Sequence, residues 1–390
     1  MDFSFDASTE EFAATTRRFC EERIIPQSPK WDQGEPIDKA VYREMGELGL
    51  LSVRMPEDMG GLGLNYVSCG RLAYEMGRAD VGISLMFVNA IMWGQLAPLM
   101  HPSIRDTWTP RVAMGAPFVF TLTEPGAGSD AGNIRTTAKR DGDYYVINGE
   151  KATVTHCGTG EVAIVFARTG GPGPKGISAF IVPWDSPGIK KTIYKSAGER
   201  VTQRGGVFYD DLRVPAINLL GSEGGGFREA MQFFDYNRAF LALACIGTAE
   251  RALDDMVKHI QTRHTFGQPL MKNQGITFQI AEHMTKLEAA KMLSYKVLYL
   301  ADAGLPHSKE AAMVKYYGIN QAFKALHTCV ILAGWPGYGS DLPYEQRMRD
   351  VMGLEIGDGT PDIMKMIVSR EVFGRESLPY RRTAEGANQS

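Results

Sequence analysis

The 390-residue sequence predicts an α+β fold in which two helical blocks flank a β-domain. Three observations predict it. Up to residue 116, apolar residues recur at helical spacing. Between Phe118 and Gly221 the apolar runs shorten, fill with β-branched and aromatic residues, and alternate with Gly, Pro and Asp. From Gly226 the helical pattern returns, and residues 270–305 contain no proline. The domains read as 1–116, 117–222 and 223–390.

In the first block, Ser8 and Glu11 form a capping-box pattern ahead of Phe12, Thr16, Phe19 and Cys20. Asp38 can cap a helix carrying Val41, Met45 and Leu48. The glycine-rich segment from Pro56 to Gly63 breaks the pattern, helices follow over 66–78 and 82–100, and Ser103 starts another. In the β-domain the strands read as Phe118–Thr123, Tyr144–Asn148, Val162–Arg168, Ile177–Val182 and Gly206–Val214, and Asp141-Gly-Asp143 is a hairpin turn. In the last block Pro306, Pro336, Pro343 and Pro361 fall at helix junctions, where proline is tolerated. Four or five long helices there suggest an antiparallel bundle. The polar tail from Pro379 reads as frayed.

Apolar residues make up 44% of the chain, enough for a substantial core. A net charge of −3 leaves no basic footprint and argues against a nucleic-acid partner. Cys20, Cys69, Cys157, Cys245 and Cys329 have no paired spacing. They read as free buried thiols, with neither a disulfide frame nor a metal site. The acidic N-terminus lacks a leader pattern, and no apolar run reaches the roughly 18 residues of a membrane span. A soluble cytoplasmic protein is expected.

The stretch Thr121-Leu-Thr-Glu-Pro-Gly-Ala-Gly-Ser-Asp130 leaves a strand and enters a turn. Gly126 and Gly128 are expected to take positive φ and let backbone amides approach a ligand, and Ser129 offers a hydroxyl. Far downstream stands Asp358-Gly-Thr360. Together these resemble the flavin-binding signature and the catalytic-base segment of the acyl-CoA dehydrogenase family, and the resemblance runs over nearly the whole chain. It implies an N-terminal helical domain, a central β-barrel-like domain, a C-terminal four-helix bundle and an FAD cofactor.

The same resemblance assigns further residues. Leu122, Thr123, Gly128 and Ser129 would face the flavin. Asn148-Gly-Glu-Lys151 and the following Thr153 and Thr155 resemble the strand beside the flavin ring, with Thr153 where most relatives carry tryptophan. Arg263-His-Thr-Phe-Gly267 and Gln274 resemble the segment that reaches a neighbouring subunit's FAD. Arg263 would meet pyrophosphate, because its planar fork matches phosphate oxygens, and Phe266 would pack on the flavin or adenine. Gly334, in Ala333-Gly-Trp-Pro-Gly-Tyr-Gly339, keeps part of a second such loop, although Val330 or Ile331 replaces the usual glutamine. Thr360 completes the cofactor set. A site shared between subunits implies an oligomer, and the family's habit implies a homotetramer.

For the substrate, Phe234-Asp-Tyr-Asn-Arg238 resembles the helix that receives the CoA arm. Asp235 would meet the pantetheine and Arg238 the adenine or phosphate region, with Ser129 and Gly359 alongside. Asn237 occupies a position where some members carry the base, and it is neutral. The segment Met86-Phe-Val-Asn-Ala-Ile-Met-Trp93, polar only at Asn89, would line the acyl end and suit a neutral chain or ring.

The resemblance implies removal of the α-proton of an acyl-CoA by Asp358 and hydride transfer to flavin N5, with electrons passed to an electron-transfer flavoprotein. Hydrogen bonds to the thioester carbonyl would stabilise the developing enolate charge. The family's base in a Glu-Gly-Thr context is here aspartate, one methylene shorter. That retreat, on the order of 1 Å, can cost roughly 100-fold in rate. A cyclic or α-branched acyl-CoA, such as cyclohexanecarboxyl-CoA, would use the room. Alternatively the enzyme resembles nitroalkane oxidases of the same fold, or Asp358 caps the helix that begins near Pro361. Glu355 is a spare carboxylate, read as structural.

Overall fold

A computed structural model of the protein describes residues 4–378. The N-terminal block holds α1 (Ala7–Phe19), which runs on through a π-turn at Cys20–Ile24, then α2 (Ser28–Asp32) and α3 (Lys39–Glu47). The cap of α1 is Asp6, not Ser8: its carboxylate accepts from Thr9 N at 2.8 Å and from the Ser8 hydroxyl at 2.6 Å. A carboxylate at the positive helix end competes better than a hydroxyl for those orphan amides. Asp38 caps α3 as expected, accepting from Ala40 N at 2.8 Å. An irregular glycine-rich loop leads to α4 (Tyr66–Ala79), α5 (Val81–Leu96) and α6 (Pro102–Ala113).

The stretch Val81–Leu99 is long and apolar enough to cross a membrane, yet 83% of it is buried inside the protein. It is the central helix of this block, apolar all round because neighbours surround it.

The middle block is one curled sheet of β1 (Phe118–Thr121), β2 (Thr137–Asp141), β3 (Tyr144–Val154), β4 (Val162–Arg168), β5 (Ile177–Pro183), β6 (Ile189–Ile193) and β7 (Gly205–Pro215). The order is β1-β4-β2-β3-β7-β6, with β5 paired to β4. Strands β2 and β6 escaped the sequence reading because they are short and lysine- or arginine-bearing. Gly142 turns the β2–β3 hairpin at φ 58°. Alternation along β4 sends Val162, Ile164 and Phe166 into the core shared with the helices, and Ala163, Val165 and Ala167 into a second core closed by Trp184 and Phe180. Phe118 and Trp93 meet edge-on at 5.2 Å across the border between sheet and α5. Each fully buried side chain of this kind stabilises the junction by about 1.5–3 kcal/mol.

The last block is built on α7 (Gly226–Thr262). A small hairpin of β8 (His264–Thr265) and β9 (Gln268–Pro269) joins it to α8 (Gln274–Asp302). Then come α9 (Ser308–Ala333), the single turn α10 (Trp335–Tyr338), α11 (Tyr344–Ile356) and α12 (Pro361–Phe373). Pro336 and Pro361 sit in first turns and Pro343 caps α11, where a missing N–H costs nothing. The frayed tail expected from Pro379 lies outside the described residues. Helices α4 and α7 touch backbone to backbone: a Cβ on Gly77 would lie 2.2 Å from Ala244 O, and one on Gly247 would lie 2.4 Å from Tyr74 O. That contact fixes the height at which α7 presents residues 235–238.

Candidate active site

Asp358 stands on the loop between α11 and α12, at φ 56°. Asp and Asn tolerate this left-handed backbone better than longer side chains. Its carboxylate accepts from Asn237 Nδ2 of α7 at 2.5 Å, and its carbonyl accepts from Arg238 Nε at 3.4 Å. Solvent reaches part of the residue, but protein atoms crowd the carboxylate on most sides. Burial therefore raises its pKa above the ordinary aspartate value, against the opposing pull of Lys315, the Asn237 amide, Arg238 and Arg204. Asp358 does not cap α12: Thr360 occupies that position, with its carbonyl accepting from Met364 N at 3.0 Å. Gly359, at φ 106°, lets the chain turn under Met364, where a Cβ would lie 2.4 Å from the methyl.

Behind this loop lies Lys315, which the sequence reading missed. It is fully buried in α9 and donates to Glu355 O at 2.8 Å and to Gly359 O at 2.6 Å. Burial lowers its pKa to about 8, with Asp358 the main opposing charge. It shares a buried helical stripe with Ala311, Ala312, Val314 and Ile319, so a lysine on an apolar face was the available clue. The Glu355 carboxylate accepts from Asn320 Nδ2 at 2.9 Å.

Arg238 is buried, not on a surface open to an adenine or phosphate. It pairs with Asp235 at 3.2 Å and turns toward Asp358, and burial lowers its pKa. The i,i+4 spacing on α7 places it on the same buried face as Ala242. Asp235 is partly exposed and also accepts from Ser308 Oγ at 2.5 Å, which ties α7 to the start of α9. Asn237 Oδ1 is buried without a partner. Asn89 is half-buried on α5 and donates to Phe118 O at 3.3 Å, so its amide is already committed to β1.

The Thr121–Asp130 loop is held by charge rather than by glycine geometry. Gly126 and Gly128 are not among the positive-φ residues. The turn closes instead through Glu124 N to Ala127 O at 3.3 Å and Ala127 N to Glu124 O at 3.1 Å. What the two glycines supply is open space, since a Cβ on either would meet nothing within 4 Å. Ser129 is exposed beside them. Beneath, the buried Glu124 carboxylate accepts from Arg135 N at 2.6 Å, Thr136 N at 2.9 Å and Lys151 Nζ at 2.9 Å. Lys151 also donates to Leu122 O at 3.1 Å, and Thr123 O accepts from Ala152 N at 2.9 Å. Burial lowers Lys151 to about 8. Glu124 stays below the ordinary range: burial opposes this, but the Lys151 charge and the two backbone amides outweigh it.

The ladder between β3 and β7 shifts register between Lys151 and Val154, and the bulge puts Thr153 at φ 56° with its side chain exposed. Arg204 reaches it, Nη1 to Thr153 O at 3.5 Å, and pairs with Glu199. Glu199 is buried with Oε1 unpartnered, and burial raises its pKa. Neither residue stood out in the sequence. Thr155 is half-buried next to His156, whose ring burial holds neutral with a pKa of about 4.

The structure does not bring Arg263, Phe266, Gln274 and Gly334 to this cluster. Arg263 and Gln274 are exposed at the ends of the β8–β9 hairpin, and Phe266 is fully exposed at its tip. Gly334 ends α9 at φ 69°, beside the exposed rings of Trp335 and Tyr338.

Comparison with known proteins follows the same division. Residues 6–116 match the acyl-CoA dehydrogenase N-terminal domain, 119–212 the middle domain and 224–373 the C-terminal domain. The chain is 34% identical over 362 residues to the mitochondrial short-chain specific acyl-CoA dehydrogenase of Rattus norvegicus, covering 91% of this chain and 87% of the relative. It is 36% identical over 365 residues to cyclohexane-1-carbonyl-CoA dehydrogenase of Geobacter metallireducens, covering 92% and 96%. The solved butyryl-CoA dehydrogenase of Megasphaera elsdenii superposes with a TM-score of 0.91 at 29% identity, over 96% of this chain and all of that one. The chain belongs to the acyl-CoA dehydrogenase family, oxidoreductases acting on CH–CH donors.

Proposed function

We propose that the protein is an FAD-dependent dehydrogenase of a cyclic or α-branched acyl-CoA, with Asp358 as the proton acceptor. The observation that carries this reading is the Asp358 carboxylate itself, crowded by protein on a partly exposed residue and oriented by Asn237 at 2.5 Å. A carboxylate whose pKa is raised by burial is a stronger base once ionised, which suits a weakly acidic α-carbon. Its own backbone N–H, with Gly359 beside it, would donate to the thioester carbonyl as enolate charge develops. The similarity to the cyclohexane-1-carbonyl-CoA dehydrogenase supports a ring substrate. So does the short base, which leaves room at a bulky α-carbon. The α5 segment Met86–Trp93 is apolar apart from Asn89, which suits a neutral hydrocarbon ring at the acyl end.

The residues present fit a flavin. Open space above Gly126 and Gly128, the exposed Ser129 and the exposed bulge at Thr153 lie where the Thr121–Asp130 loop meets β3 through Ala152 N to Thr123 O. Leu122, Thr123, Thr155 and Thr360 would border it. FAD bound there supplies a two-electron acceptor for the hydride. Asp358 would hold the proton taken from the α-carbon.

An oligomer is part of this reading. Fully exposed Phe266 beside polar Arg263 and Gln274, and the separate exposed rings of Trp335 and Tyr338 after Gly334, leave aromatic surface in water that would suit a neighbouring subunit's cofactor. We read the assembly as a homotetramer, and an electron-transfer flavoprotein as the electron acceptor.

Anaerobic bleaching of the purified flavoprotein tests the function. The panel is butyryl-, octanoyl-, isobutyryl-, cyclohexanecarboxyl- and cyclohexenecarboxyl-CoA, plus nitroethane. Fast bleaching by a cyclic or branched thioester is expected. Bleaching by nitroethane alone would overturn the reading in favour of an oxidase.

A further inference from the structure

Asp358 must be ionised to accept a proton, yet its surroundings disfavour charge. Something in the fold has to offset that cost. Facing the loop are Arg238 and Cys245 on α7, Lys315 on α9, Glu355 and Asp350 on α11, and Glu199 and Arg204 ahead of β7. Three of these are cations. Arg238 divides its guanidinium between Asp235 and the Asp358 carbonyl, and Arg204 is paired with Glu199. Among the described residues Lys315 has no carboxylate in salt-bridge range, and both of its hydrogen bonds end on carbonyls that bracket Asp358.

We propose that Lys315 is a positioning residue for the proton acceptor, clamping loop 355–359 from behind and keeping the Asp358 carboxylate ionised in its crowded setting. The two roles follow from one geometry. Bonds to Glu355 O at 2.8 Å and Gly359 O at 2.6 Å span the turn, so the loop cannot shift without breaking a charge-assisted bond inside the protein. The ammonium held there has no carboxylate of its own to neutralise it, so its field acts on Asp358. Its charge favours the ionised carboxylate, and the Asp358 charge in turn favours the protonated Lys315. Fully buried, Lys315 touches neither substrate nor cofactor and acts through Asp358.

The inference rests on Asp358 being the proton acceptor, and the test separates the two. Holoprotein is reduced anaerobically by an acyl-CoA that bleaches the wild type, and the rate is followed against pH. Lys315→Met removes the clamp and the charge. Lys315→Gln removes the charge but keeps an amide that can donate to a carbonyl. In both, the acid-side midpoint should rise by a pH unit or more. Below the wild-type midpoint the rate should fall about tenfold or more, and in Lys315→Gln it should recover toward wild type as pH rises. Lys315→Arg should keep the wild-type midpoint. An unchanged midpoint in a flavin-retaining Lys315→Gln or Lys315→Met would overturn the proposal. The double variant Lys315→Met with Asp358→Asn covers the case of poor folding. It should melt at a higher temperature than Lys315→Met alone, because the uncompensated carboxylate is gone, and absence of that rescue would also overturn the pairing. A wild type that no acyl-CoA bleaches would instead remove the functional reading.

Discussion

Asn237 Nδ2 lies 2.5 Å from Asp358 Oδ2, so a neutral amide on α7 is the nearest hydrogen-bond donor to the carboxylate on the α11–α12 loop. Donation to the ionised form stabilises it and aims it. The opposite side of the same amide, Oδ1, is buried without a partner, and a flip would set that acceptor oxygen against the carboxylate and lose the donation.

Replacing that amide by a carboxylate tests the contact directly. Asn237→Asp places two carboxyl groups within hydrogen-bond distance, where both cannot ionise together, and the pair must share a proton. Asp358 would then be protonated at pH values where it is now free. The acid-side midpoint of flavin reduction should rise by more than one unit, with at least a tenfold loss of rate at pH 6 and smaller losses at pH 9. A profile that superimposes on wild type would show that Asn237 does not sense the base.

Asp358→Asn is a clean probe of the base, because asparagine also tolerates φ 56° and keeps the shape of the side chain. It should lower the rate of flavin reduction by about 100-fold or more while leaving flavin bound, with a lower melting temperature because buried Lys315 loses its opposing charge. Asp358→Glu is the companion. The longer side chain occupies the space a ring would use, so activity should move from cyclic toward linear acyl-CoAs. Unchanged preference in a steady-state comparison of the two thioesters would argue that the shorter base is not there to make room.

The loop that borders the proposed flavin edge depends on Lys151. Its ammonium is fully buried, and its anionic partner Glu124 is nearly so, at 2.9 Å. Removing one member of such a pair leaves the other charge buried and uncompensated, at a cost of about 3–5 kcal/mol. Lys151→Met should therefore melt early and lose flavin on gel filtration. Lys151→Met with Glu124→Gln should regain part of that loss, because a neutral amide is cheaper to bury than a carboxylate. Calorimetry and flavin absorbance on the two variants decide it.

The fold was legible in the chain because its signals are local. Period, proline placement and the Asp141-Gly-Asp143 turn mark elements that depend on neighbours in sequence. The strands missed, β2 and β6, carry the charges of an exposed face, so alternation alone did not lift them above a loop. Within the site, Asp358, Asn237, Arg238 and the Thr121–Asp130 loop were visible through resemblance, but their partners were not. Lys315 lies 43 residues from Asp358, and Glu124 is 27 residues from Lys151. Such pairings are made by helix and strand packing, and no spacing rule in the chain announces them. The expected positive φ of Gly126 and Gly128 failed for a related reason. Two backbone hydrogen bonds between Glu124 and Ala127 close that turn and the buried Glu124–Lys151 pair anchors it from 27 residues away, without a positive φ at either glycine.

Behind α11 a set of buried acids gives a last test, one of stability. Asp350 Oδ1 accepts from Glu199 N at 2.5 Å, and the carboxylate is buried near Asp80, Glu199 and Asp32. Burial, then the charge of Asp80, raises its pKa well above the ordinary aspartate value. The sign follows from proton linkage. Between the unfolded and folded pKa values the native state holds the proton and the unfolded chain does not, so this group's contribution to stability falls as pH rises through that window. Above the folded pKa the full cost of burying the charge remains. Asp350→Asn keeps an oxygen for the Glu199 amide and removes the charge, so it should match wild type at low pH and exceed it increasingly toward pH 8. A gain in melting temperature of about 2 °C or more at pH 8 corresponds to roughly 1 kcal/mol. Melting curves at pH 4, 6 and 8 check it, and a difference that does not widen with pH would mean that native Asp350 holds no more proton than the unfolded chain, so that burial does not raise its pKa.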